Sequence, residues 1–263
     1  MSLIVQDIIQ QLTSPVEKLE NTVDTLKFGS LDMKVTGVAV SFMPTLHALK
    51  KTVELGANLL LTHEGLFYSH WDENNLGENQ VQEEKLQFIK ESGIAIYRIH
   101  DYIHRYKPDG ITYGLVQALN WDSYVEEHQP AATILNIPPK TTKEIIDYVK
   151  NKLQIDSLRY VGDLSKPCTK IGILVGYRGG GSNVIPLFEK HQLDLVIYGE
   201  GPEWETPEYV RDANFQGKEK ALIILGHAES EEPGMNLLAT KMAEIFPNTP
   251  IHFIKNEPLF KLM

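Results

Sequence analysis

The stretch that most restricts this chain is Lys34 to Gly65. Lys34–Phe42 is rich in β-branched residues, and Pro44-Thr45 then opens a segment with Leu46, Leu49, Val53 and Leu55 at helical spacing. Gly56 offers a left-handed cap, and the apolar run Leu59-Leu60-Leu61-Thr62 follows. Strand, helix and strand in this order make a βαβ unit, which gives parallel strands. The second strand ends abruptly in His63-Glu64-Gly65. Open α/β sheets gather their ligands at the carboxyl ends of such strands.

The pattern recurs. Val38–Gly65 reads VAVSFMPTLHALKKTVELGANLLLTHEG and Ile173–Gly201 reads ILVGYRGGGSNVIPLFEKHQLDLVIYGEG, two stretches of the same order whose lengths differ by one residue. The next strand in each half delivers a histidine: IYRIHDYIH places His100 and His104 four apart, and IILGHAESE places His227 and Glu231 four apart. The expected fold is α/β, with two related modules at 1–120 and 165–263, mostly parallel sheets, and an internal duplication. The intervening 121–164 has an α+β rhythm, including a Thr-Thr-Lys-Glu capping pattern at Thr141, and is expected to form a small inserted subdomain.

Composition narrows the chemistry. A formal charge of −10 over 263 residues argues against general binding to nucleic-acid backbone, which needs clustered Lys and Arg. With Cys168 the sole cysteine, disulfide frameworks and cysteine-based zinc clusters are excluded, so any metal must be held by His, Asp and Glu. The N-terminal pattern around Asp7 is too broken for a signal segment, and no apolar run approaches the ~20 residues that span a bilayer. A soluble, cytoplasmic chain with no membrane contact is expected.

Residues at i and i+4 project from one face of a helical turn, the spacing by which paired side chains grip one ion. The pooled donors are His63, Glu64, His100, His104, His227 and Glu231. Four imidazoles and two carboxylates are too many for one tetrahedral ion with an open position, and suit two divalent ions about 3.5–4 Å apart. Zinc, iron, manganese and nickel all accept this donor set. Two carboxylates against two divalent ions leave net positive charge, which would attract an anionic small molecule, a nucleotide among the candidates. Glu231 or Glu64 would then move the proton in a hydrolase. The competing readings are a metal chaperone, a regulator or an assembly scaffold without turnover, or strand-end polar groups that only hydrogen-bond one another.

Other features rank lower. The glycine-rich 176–182 stretch lacks the Lys-Ser/Thr of a phosphate loop and reads as a tight turn. Glu200 repeats the position of Glu64 with glycine in place of the histidine, and reads as a solvated strand end ahead of a hydrogen-bond acceptor behind the ligands. Tyr68, Trp71 and Trp204 stand in loops where they could stack a heterocycle or anchor packing. His47, His70, His128, His191 and His252 have no ligand partners nearby in sequence and are set aside.

The segments LLLTHEGLF, IHDYIH and GHAESE resemble the Nif-three-like family of dinuclear-metal proteins, also labelled GTP cyclohydrolase 1 type 2. That family carries two adjacent histidines in the first motif, His-x3-Asp in the second and His-x3-Glu in the third. Here His227 and Glu231 match, while His63-Glu64 and His100-x3-His104 exchange one histidine for one acid, and against the family's motif Asp101 competes with His104 for the acidic role. The resemblance implies retained metal binding, a cyclohydrolase-type activity borne by some members, and a toroidal homohexamer whose metal pairs face an internal cavity.

Overall fold

A computed structural model of the chain describes residues 2–71, 77 and 79–261. The polar loop expected over Tyr68–Gln80 falls partly at 72–76 and 78, outside the described residues. Two compact units emerge, one of 2–107 with 235–261 and the other of 108–234. In chain order the first unit opens with α1 (Val5–Thr13), β1 (Leu26–Phe28), β2 (Val38–Ser41), α2 (Leu46–Glu54), β3 (Leu59–Thr62), α3 (Gln80–Ser92), β4 (Ala95–Arg98) and α4 (Asp101–His104). The second holds α5 (Gly110–Ala118), β5 (Val125–His128), β6 (Thr133–Thr141), α6 (Thr142–Leu153), β7 (Arg159–Val161), β8 (Pro167–Ile173), α7 (Gly181–His191), β9 (Leu195–Tyr198), α8 (Thr206–Phe215) and β10 (Ala221–Ile224). The chain passes back to the first unit within α9 (His227–Ile245) and ends in β11 (Ile251–Phe253).

Local chemistry explains the boundaries. Thr45 accepts from the Ala48 backbone and starts α2, Gly93 in the left-handed region stops α3, and Thr141 with Glu144 forms a reciprocal capping box on α6. Pro233 lies inside α9, so this helix begins at His227 rather than at Met235 as the Pro-Gly pair suggests. A Cβ on Gly114 of α5 would stand 2.3 Å from the Gly234 Cα, so the two backbones touch there and only glycine fits.

The sheet of the first unit runs β1-β4-β3-β2-β11 and is parallel except for the edge pair β1/β4. The sheet of the second runs β5-β6-β8-β9-β10-β7, with a parallel centre of β8, β9 and β10 and antiparallel flanks. The order β1-β4-β3-β2 and the order β7-β10-β9-β8 have the same sequence logic and the same strand senses. The duplication therefore extends to the antiparallel edge strand that precedes each βαβαβ run, which the spacing alone did not reveal.

The boundaries differ from those expected at 120 and 164. Residues 121–164 do not stand apart: β5 and β6 continue the second sheet beyond β8, and β7 closes its other edge. The reason is burial, since Thr133, Ile134 and Leu135 pair with β8 and are covered in the core. Pairing is interrupted between Asn136 and Lys140, where Pro138 and Pro139 have no N–H to donate. The mostly parallel character holds for the first sheet and only for the centre of the second. The final strand, Ile251–Phe253, joins the first sheet, with Ile251 opposite Val38, although it follows the expected second module in sequence.

Each sheet buries its own core. Leu60, Ile96, Leu49 and Ile89 anchor one, and Val196, Leu222, Phe188 and Val210 the other. Lys85 of α3 is only 5% exposed, donates 2.6 Å to the Leu66 carbonyl and lies 5.6 Å from the Phe67 ring centroid. Burial pushes its ammonium down to about 8. Below that pH folded and unfolded chains both hold the proton. Between there and lysine's ordinary value near ~10.4 only the unfolded chain keeps it, so stability rises with pH. Urea unfolding of native protein should show a rise of about 3 kcal/mol at most across this window, absent in Lys85→Met. Equal pH slopes in both would count against a buried, strained ammonium.

Candidate metal centre

In the first unit the carboxyl ends of β3 and β4 bring three histidines together. The His63 and Glu64 N–H groups both donate to the Phe42 carbonyl, at 3.1 and 3.0 Å, which bends the chain sharply after β3. Beyond β4 the buried Asp24 carboxylate accepts from the backbone N–H groups of His100, Asp101 and Tyr102 at 2.7, 3.0 and 2.9 Å. These charge-assisted bonds satisfy the open N-terminus of α4 and fix the turn bearing His100 and His104. His63 stacks on His100 with ring centroids 4.5 Å apart, and His104 meets both edge-on at 5.0 Å. One ligand nitrogen from each of the three lies within 4.8 Å of the others.

Ring orientation is held from behind. His63 Nδ1 faces the Ile99 carbonyl at 3.1 Å, and His100 Nδ1 faces Asp101 Oδ1 at 2.9 Å. With Nδ1 donating to an acceptor, each ring turns its Nε2 lone pair outward, the arrangement found behind metal-bound histidines. Asp101 is therefore an orienting group here. Burial alone would raise its carboxyl, but hydrogen bonds from His100, Thr22 and the Val23 backbone hold it below the usual carboxylate range. Asp101→Asn is expected to weaken metal binding about 10- to 100-fold with the fold intact, read by chelator competition. An unchanged affinity would deny it this role.

Glu64 lies beside this trio. Arg98, fully buried at the end of β4, donates Nε to the His63 carbonyl at 3.0 Å and Nη2 to Glu64 Oε2 at 3.2 Å. Its Nη1 donates to the His70 carbonyl, and Nη2 also meets His70 Nδ1 at 3.2 Å. Ligand atoms of Glu64, His70 and His100 again lie within 4.8 Å of one another. His70, set aside on the sequence, is thus drawn to the site from its loop. Burial and the adjacent Arg98 keep its ring from protonating readily.

In the second unit the ends of β8, β9 and β10 carry the other expected pair. His227 opens α9, and its Nε2 lies 3.1 Å from Glu231 Oε2 one turn on. Two ligands about 2.1 Å from one ion at angles of roughly 90 to 110° are ~3.0–3.4 Å apart, so this spacing suits a shared cation. His227 Nδ1 is held by Glu200 Oε1 at 2.9 Å. Glu200 is consequently an orienting carboxylate, not the solvated strand end expected from sequence. Ser230 Oγ donates to the His227 carbonyl at 2.8 Å and accepts from the Gly176 N–H at 2.9 Å. A Cβ at Gly176 would stand 2.2 Å from Glu231 Oε1, and φ there is +56°.

The glycine-rich turn is already occupied. Gly181 N–H at the start of α7 donates to Glu205 Oε2 at 2.6 Å, so a carboxylate of the chain itself caps this helix. Trp71 and Trp204 are 69% and 75% exposed, and Trp71 meets the His70 ring edge-on at 5.1 Å.

Fold and side chains define the class: a two-sheet α/β protein whose strand ends present histidine and carboxylate groups able to hold a metal ion. Within that class the chain belongs to the Duf34/NIF3 (NGG1p interacting factor 3) family, whose model matches residues 5–258. A "GTP cyclohydrolase 1 type 2 homolog" of Clostridium perfringens is 25% identical over 227 residues, covering 83% of this chain and 82% of that one. A protein of the same description from Clostridium acetobutylicum is 24% identical, with 97% of each chain covered. The crystal structure of a Bacillus cereus protein related to NIF3 superposes with a TM-score of 0.75 at 14% identity, covering 99% of both chains. That likeness carries the fold. No helix among the described residues is long and apolar enough to cross a membrane.

Proposed function

We propose that this chain is a metal-dependent hydrolase acting on an anionic small molecule, with two divalent ions held by His63, Glu64, His100, His104, His227 and Glu231. The carrying observation is the orientation of the rings. The Nδ1 atoms of His63, His100 and His227 are each tied to an oxygen acceptor, which turns each Nε2 to where an ion would bind, and at His227 that is where Glu231 Oε2 lies, 3.1 Å away. Bound ions would supply positive charge that polarises the electrophile and acidifies water. Glu231, 2% exposed with its Oε2 3.1 Å from His227 Nε2, would accept and return a proton. Glu64 has one oxygen held by Arg98, which directs the rest of the carboxylate and makes it the lesser proton carrier.

The relatives' printed descriptions make GTP the first substrate to try, followed by a phosphoester panel. Metal-loaded protein should release product, and His227→Ala should lose at least ~100-fold of that activity at unchanged assembly. The homohexamer implied by the family would appear as a mass of six chains in light scattering. A second reading, metal chaperone, regulator or scaffold, is favoured by the imidazole-only trio His63, His100 and His104, which can hold an ion without a proton carrier. It would give silence on every substrate together with metal-dependent stability.

A further inference from the structure

His70 lies as close to the cluster as the proposed ligands, yet its Nδ1 faces a hydrogen-bond donor. Its Nδ1 is 3.2 Å from Arg98 Nη2. A guanidinium nitrogen can only donate, because arginine keeps all its N–H groups in proteins. Nδ1 must therefore be the acceptor nitrogen of the ring, and the proton resides on Nε2. The rings of His63 and His100 face acceptors through Nδ1 and so carry the lone pair on Nε2. Two nitrogens of opposite character are thus created by two kinds of neighbour.

The assignment is reinforced by the rest of the arginine. Nη2 has two hydrogens, one for Glu64 Oε2 and one for His70 Nδ1, and Nη1 donates to the His70 carbonyl. The same fully buried guanidinium therefore holds both the backbone and the ring of His70. Ligation through Nδ1 would displace Arg98 from that bond, and ligation through Nε2 would need the proton removed. Neither is required if His70 serves a different purpose. Its side chain is 41% exposed, and its ring meets His100 edge-on at 4.9 Å.

We infer that His70 is a substrate-binding residue, a neutral imidazole that donates Nε2–H to an oxyanion of the phosphate type arriving at the metal cluster, and that Arg98 is the positioning residue that fixes this tautomer. The inference rests on the metal-centre reading given under Proposed function, but it fails separately. The substrate class it favours is one with a tetrahedral oxyanion next to the reacting centre, which a nucleotide or a phosphoester provides.

The test uses the full metal-loaded chain, with inorganic phosphate as the probe in titration calorimetry and metal content read by mass spectrometry. His70→Leu should keep every metal equivalent and lose about tenfold in phosphate affinity, the effect of one hydrogen bond to a charged group. His70→Gln, which restores an N–H donor, should stay within about threefold of native protein. Loss of a metal equivalent in His70→Leu would make His70 a ligand and overturn the inference. So would unchanged phosphate affinity, an equal loss in Leu and Gln variants, or native protein that takes metal but no phosphate. Nitrogen-15 NMR of the imidazole decides the tautomer even in metal-free chain: a protonated Nδ1 on His70 would end the proposal, and a protonated Nε2 supports it. Should native protein take no metal at all, the parent reading falls, while the tautomer result still judges this one.

Discussion

Arg98→Met should lower the stability of the chain by about 3–5 kcal/mol, a fall of roughly 10 °C or more in Tm. Arg98 is fully buried and binds two carbonyls, one imidazole and the Glu64 carboxylate. Methionine fills most of the volume but donates nothing, so the His63 and His70 carbonyls and Glu64 lose their donor together. Removing one member of a buried charged network costs far more than the network contributes as a whole, because the partner charge stays behind. The double variant Arg98→Met with Glu64→Leu should therefore recover part of the loss. Thermal unfolding of the two variants checks this. A drop under ~1 kcal/mol for Arg98→Met would place the arginine among exposed ion pairs, against what its burial implies.

Gly176→Ala should disable the proposed metal-binding pair His227 and Glu231 more thoroughly than removal of the orienting Glu200 carboxylate. An L-residue in the left-handed region costs ~1–2 kcal/mol. At φ +56° the added Cβ would also stand 2.2 Å from Glu231 Oε1 and 3.2 Å from His227 Nε2. The backbone of Gly176 cannot yield freely, since its N–H is held by Ser230 Oγ and its carbonyl by the Glu200 N–H at 2.9 Å. Glu231 must move, which separates it from His227. The expected outcome is a fall of ~2 kcal/mol or more in stability and at least ~100-fold weaker binding of one metal equivalent. Chelator competition followed by spectroscopy would show it. Native-like affinity in the alanine variant would mean that Glu231 has room to retreat without leaving the site.

The sequence made most of the scaffold readable because parallel strands buried on both faces are continuous apolar runs, and their helices carry ordinary caps. Leu59–Thr62, Ala95–Arg98 and Leu195–Tyr198 lie where the runs predicted them. The strand-end histidines and the His227/Glu231 turn followed from the same pattern. Pairings between distant strands were hidden. Nothing local in Ile251–Phe253 says that it lies beside β2, and nothing in Val125–His128, half-buried to exposed, says that it extends a sheet. Asp24 and Arg98 were equally hidden as orienting groups, since they act on residues far from them in sequence, whereas Glu200 stood at a strand end matching Glu64 and was only ranked too low. Arg98 had one available signal: an arginine at the end of an otherwise apolar strand, IAIYRI, demands buried partners. His70 had none, because its meaning comes entirely from the guanidinium that faces it.

The most direct measurement is the metal content of the full chain, purified without an affinity resin and analysed by mass spectrometry alongside His100→Ala and His227→Ala. About two divalent ions per native chain are expected, falling in each variant while both remain folded. Native protein carrying less than about a tenth of an equivalent, taking up none of zinc, iron, manganese or nickel when they are supplied, and unfolding at the same temperature with or without chelator would contradict it.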